Sequence, residues 1–177
     1  MKRTRADLPA RRAVLGDSPL RPCAKADLDR DHPAVLFDQY WRSLAEDGLP
    51  SRGDLDPAVI ARLLKWIMIL EQGGDPEGRT FTVRLHGTAE VAFTRGDMTG
   101  RELSEFVADD AYRTRLEMMK EAILSGRPKF GTTVVRGEGF VDVPVCLGMF
   151  PFRAGPQGGY QVIVVAAPAE RELRRSL

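Results

Sequence analysis

The sequence predicts an α+β protein: a five-stranded antiparallel sheet with helices on one face, preceded by N-terminal helices. Three observations predict it. Apolar residues recur at helical spacing around residues 33–47 and 110–125, and five other segments are strand-like, alternating or continuously apolar. The order is two helices, two strands, a helical insert ending in one long helix, and three strands, which suits a sheet covered by that insert. With 43% hydrophobic and 29% charged residues in 177, the chain can bury one sizeable core but is too short for two full domains.

Residues 1–32 are rich in Arg, Asp and Pro, and Pro9, Pro19 and Pro22 interrupt any helical period. They read as a mobile or loosely docked extension whose basic cluster is a solvated tail or a targeting or partner-binding arm. Residues 33–64 read as opening helices. Pro33 suits a first helical turn, Asp31 or His32 can cap it, and Phe37, Tyr40, Trp41 and Leu44 recur at i, i+3, i+4 and i+7 until Gly48 stops the helix. Asp56-Pro57 opens a second short helix with Ile60, Leu63 and Leu64 on one side.

Residues 65–168 form the core. Trp66 to Leu70 reads as a short buried strand, Gly73 to Pro76 as a turn, and Phe81, Val83 and Leu85 alternate with Thr82, Arg84 and His86. Short helical pieces fill Thr88 to Val107. Asp109 or Asp110 then caps a long helix with Tyr112, Leu116, Met119 and Ile123 on one face, closed by Gly126 and Pro128. Phe130–Arg136, Phe140–Phe152 and Tyr160–Ala167 are strands, with turns at Gly137 to Gly139 and Gly155 to Gly159. Pro144 and Pro151 lack a ladder donor, so each marks an edge, a bulge or a strand end. Residues 169–177 read as a C-terminal tail.

Charge and composition narrow the function. Against 26 basic residues stand 25 acidic ones, so no net field draws the chain to nucleic acid. The longest strictly apolar runs, Trp66–Leu70 and Val162–Ala167, fall far short of the roughly 20 residues of a membrane span, and no signal-peptide core follows the basic start. The expected location is the cytoplasm, in keeping with only two cysteines.

Catalytic chemistry is not expected. Only His32 and His86 carry imidazoles, which leaves no metal-ligand pair and no evident triad base. His32 reads as a capping or solvated residue, and His86 as a hydrogen bond to the following loop or a pocket contact. Asp27, Asp29 and Asp31 resemble the start of a calcium loop, but His32 and Asp38 stand where Gly and Glu belong. Gly73-Gly74-Asp75-Pro76-Glu77 is better explained as a turn than as a cyclase signature. Neither Gly-x-Gly-x-x-Gly nor a phosphate loop occurs.

Several stretches go further. Trp41-Arg42-Ser43-Leu44, Asp47 to Arg52 and Asp54 to Pro57 are followed by Phe81 to Thr88 and by Gly96-Asp97-Met98-Thr99-Gly100-Arg101-Glu102-Leu103. In this order, over about residues 34–168, they resemble a bacterial PAS-like family. The resemblance implies a sensory or regulatory module that holds a small ligand between sheet and helices or binds partners through its sheet and flanking helices. Members of that family are often stand-alone domains, and this chain has no room for an output module, so a signalling role in trans is expected, with a protein partner. The resemblance does not identify a cofactor. Haem lacks an axial histidine on the long helix, and the insert lacks the reactive cysteine of flavin photosensors.

The expected ligand is small and hydrophobic or amphipathic, bound among Leu85, His86, Phe93, Leu103, Leu116, Met119, Val145 and Ile163. The alternative is a ligand-free dimerisation or adaptor module that uses Phe37, Tyr40 and Trp41 with the outer sheet face, in which case a homodimer is one arrangement.

Overall fold

The computed structural model describes residues 18–177 except 47, 76, 95, 137–141 and 157, with the backbone alone of 92–94. Of the predicted extension, residues 1–17 therefore lie outside the described residues, as does the turn at Gly137 to Gly139.

Six antiparallel strands form one sheet: β1 (Arg21–Cys23), β2 (Ile67–Gln72), β3 (Phe81–His86), β4 (Lys129–Arg136), β5 (Asp142–Arg153) and β6 (Tyr160–Pro168). Their order is β1-β4-β5-β6-β2-β3. The five expected strands are β2 to β6. The sixth, β1, comes from the segment expected to be loose. From Ser18 onward that segment is docked: Leu20 is buried, its amide donates to Thr114 Oγ1 at 2.8 Å, and β1 covers the outer edge of β4. An uncovered edge invites pairing with other chains, and these three residues take up that of β4.

Helix α1 (Pro33–Leu44) starts at His32, whose Nδ1 accepts the Ala34 N–H at 3.2 Å while Nε2 donates to the Ala167 carbonyl at 3.3 Å. The helix crosses β5 and β6 on the sheet face opposite the insert. Phe37 meets Phe150 edge-on at 4.8 Å, and the Trp41 indole N–H donates to the Pro151 carbonyl at 3.0 Å. Helices thus cover both faces, α1 one and the insert the other. The second short helix is absent: residues 57–63 form turns closed by i→i+3 bonds such as Leu63 N–H to Ile60 carbonyl, then a 3-10 turn at Leu64–Trp66.

The insert comprises α2 (Thr88–Thr94), a 3-10 turn at Leu103–Glu105 and α3 (Asp109–Ser125). Ala108, not an aspartate, sits at the N-cap of α3; Asp109 and Asp110 occupy its first turn, where the helix dipole favours negative charge. Gly126 ends the helix with φ +60°, a left-handed conformation that glycine adopts without strain. Pro144 lies one residue past the last β6 partner of β5, and Pro151 lies past the first β4 partner. Each missing N–H thus falls where a neighbouring strand has run out. A short helix, α4 (Arg171–Ser176), makes the tail part of the fold: the Arg174 guanidinium meets Asp29 at 2.9 Å and Asp31 at 3.1 Å.

Candidate functional site: a cavity beneath α3

Beneath α3, against β2, β4, β5 and β6, lies a cavity of about 50 Å³. One water needs roughly 10–15 Å³ on the same measure, so the space holds only a few atoms. Met68, Leu147, Met149 and Val164 give it apolar walls. Three polar side chains also line it: Glu90 from α2, Arg115 from α3 and Thr133 from β4.

Glu90 and Arg115 are each only 5% exposed. Burial pushes the Glu90 carboxyl up to about 8, against the Ala166 amide facing it and the weaker pull of Arg115, so at neutral pH it holds its proton. Burial also lowers the Arg115 guanidinium to about 10, opposed by Glu90, which leaves it charged at neutral pH. Arg115 Nη1 donates to the carbonyls of Ala111 at 2.9 Å and Ser18 at 3.3 Å. Thr133 Oγ1 donates to the same Ser18 carbonyl at 2.9 Å. The segment leading into β1 therefore closes one side of the cavity on two of its polar groups.

Of the expected ligand-contacting residues, Leu103, Met119 and Val145 line this cavity. Four others do not. Ile163 faces the opposite side of the sheet with α1, because Val162 and Val164 take the cavity-side parity of β6. Leu85 is 37% exposed: Ile69 pairs with Leu85 and Leu70 with Val83, so Arg84 is an extra residue and the alternation flips after it. Leu116 is half-buried beside the core, since the buried face of α3 runs through Ala111, Arg115, Met118, Met119 and Ala122. His86 accepts the Met98 N–H at Nδ1, 3.2 Å away, and so ties the end of β3 to the loop before the 3-10 turn. Burial lowers its pKa, against the pull of Asp97. The side chain of Phe93 lies outside the described residues.

The expected interface residues also turn inward. Phe37 and Trp41 are buried on the chain's own sheet, and the Tyr40 hydroxyl accepts the Asp56 N–H at 2.7 Å. The outer face they were expected to offer a partner is occupied by their own helix. Arg84 pairs with Glu71 at 2.7 Å, and Gln161 Nε2 donates to the other oxygen of that carboxylate. Burial raises both cysteine thiols. Asp29 and Asp31 hold Arg174, a structural use of two carboxylates that resembled a calcium loop.

Glu90, Arg115 and Thr133 were not among the expected contacts. One signal in the sequence does point to Arg115: it stands four residues after Ala111 and four before Met119, at positions that share one helix face.

A family model described as a PAS domain matches residues 30–152. The chain belongs to the PAS domain family. No curated protein matches it. In this PAS domain the match ends within β5, so β6 completes the sheet beyond it, while β1 and the cavity-closing Ser18 lie before it. No helix among the described residues is long and apolar enough to cross a membrane.

Proposed function

We propose that this PAS domain is a sensory or regulatory module whose signal is a small amphipathic molecule held in the cavity beneath α3, and whose output is a change in contact with a partner protein. The observation that carries this reading is the cavity itself: open space within the core where a few polar groups converge among apolar walls. Interiors are normally close-packed, and an empty space forfeits contacts on every side.

Transmission requires a difference between two conformations. The Ser18 carbonyl supplies one, because it is held by Arg115 and Thr133 at the cavity. A ligand that takes over either donor weakens the hold on Ser18 and β1, and release of β1 uncovers the edge of β4 to a partner strand. A thermal-shift screen of small amphipathic compounds, run with native mass spectrometry, tests the reading. Stabilisation by at least one compound is expected, and Ala166→Leu, which fills the cavity, is expected to abolish it. If nothing stabilises the wild type, or if the filled variant responds equally, sensing through this cavity is refuted.

A further inference from the structure

Resting on the proposed small-ligand reading, we infer that the ligand is an anion: a short aliphatic monocarboxylate whose head group meets Arg115 and whose chain lies between Met68, Leu147 and Val164.

The starting observation is a charge out of place. Arg115 is 5% exposed, yet it belongs to none of the ion pairs found among the described residues. Buried charges are ordinarily paired, because taking an unpaired ion out of water costs several kcal/mol. The hydrogen bonds found for its side chain are both from Nη1, to neutral carbonyls. A guanidinium carries five N–H donors in a planar fork, and Nη1 accounts for two of them. The remaining edge, Nη2 with Nε, has the geometry that receives both oxygens of a carboxylate.

The other polar groups agree with that assignment. Burial pushes the Glu90 carboxyl toward its neutral form, which weakens its competition for Arg115. Thr133 adds a hydroxyl on the facing strand, whose single proton turns to the anion by leaving the Ser18 carbonyl.

The volume sets the size. About 50 Å³ corresponds to roughly three to five non-hydrogen atoms at ~10–15 Å³ each. Met68, Met119 and Met149 line the space, and their unbranched thioether chains can shift to admit another few methylenes. The range is therefore acetate to hexanoate. Dicarboxylates and phosphate esters are excluded, since a second charge would rest on apolar wall.

The test is isothermal titration and thermal shift with acetate, butyrate and hexanoate, each beside its neutral primary amide, on the wild type, Arg115→Met and Arg115→Lys. Butyrate is expected to bind at least about tenfold more tightly than butyramide, to lose about ten- to hundredfold in affinity in the Arg115→Met variant, and to recover part of that loss in the Arg115→Lys variant. Circular dichroism establishes that each variant is folded. Should Arg115→Met prevent folding, Ala166→Leu with Arg115 intact takes its place and is expected to lose butyrate binding. Equal binding of butyrate and butyramide, or butyrate binding that survives Arg115→Met, overturns the anion assignment while leaving a small-ligand cavity in place. Absence of binding by acids and amides alike overturns both.

Discussion

Replacing Glu90 with Gln keeps the shape of a buried side chain and removes its titration. In the native state the Glu90 carboxyl is pushed up to about 8 from an ordinary value of 4.5. The unfolded chain releases that proton near 4.5 while the native chain keeps it, so the native state binds more protons across the interval and stability falls as pH rises from about 4.5 to 8. Each pKa unit is worth about 1.4 kcal/mol, so between pH 5 and pH 7.5 the wild type should lose roughly 3 kcal/mol through this one group. Arg115, lowered only to about 10, stays charged throughout and adds no slope. His32 and His86 titrate in both proteins and cancel in the difference. Urea denaturation of wild type and Glu90→Gln at pH 5, 6, 7 and 7.5 reads the effect directly. The variant is expected to gain on the wild type by roughly 3 kcal/mol across the series. Parallel stability curves would show that Glu90 ionises normally and would refute the desolvation reasoning.

Further predictions concern the elements around the cavity. His32 faces Asp29, Asp31, Arg174 and the Ala167 carbonyl; burial, against the Ala167 hydrogen bond, lowers its pKa to about 4, so stability is expected to fall as pH drops from 6.5 toward 4. His32→Asn, which keeps a capping acceptor, should flatten that limb, and His32→Ala should in addition lose about 1 kcal/mol at pH 7 by chemical denaturation. Phe37→Ala should cost about 3–5 kcal/mol and leave the mass measured by light scattering unchanged, because its ring is buried on the chain's own sheet; a change of oligomeric state without loss of stability would contradict this. Leu20→Ala should cost about 2–4 kcal/mol and speed hydrogen exchange along β4, whereas unchanged exchange would mean that β1 does not protect that edge.

What the sequence made legible was whatever a period carries. Strand β3 follows from the alternation of Phe81 and Val83, β2 from the apolar run Trp66 to Leu70, and α1 and α3 from the three-to-four spacing of Phe37, Tyr40 and Trp41 and of Tyr112, Leu116, Met119 and Ile123. A helical stripe does not say which sheet face it covers, so the docking of α1 opposite the insert was not readable. The run Val162 to Ala167 is buried on both faces and carries no parity, which is why Ile163 was expected at the cavity, on the sheet face that Val162 and Val164 take instead. A bulge at Arg84 breaks the alternation that placed Leu85 inside. Strand β1 was unreadable for a different reason: it is three residues long with Pro22 at its centre, and backbone pairing with β4 defines it. Arg115 and Glu90 were missed because charged residues are presumed to face water, and only the folded packing reveals which do not.

The most direct measurement is the methyl spectrum of protein labelled with ¹³C at its methionines, titrated with butyrate and, separately, with n-butanol. The chain has six methionines; among the described residues Met68, Met119 and Met149 line the cavity while Met98 and Met118 do not. Saturable shifts confined mainly to the three lining methyls are expected from at least one of the two probes. If neither moves them, or if all six shift alike, the space beneath α3 is not where this PAS domain receives a ligand.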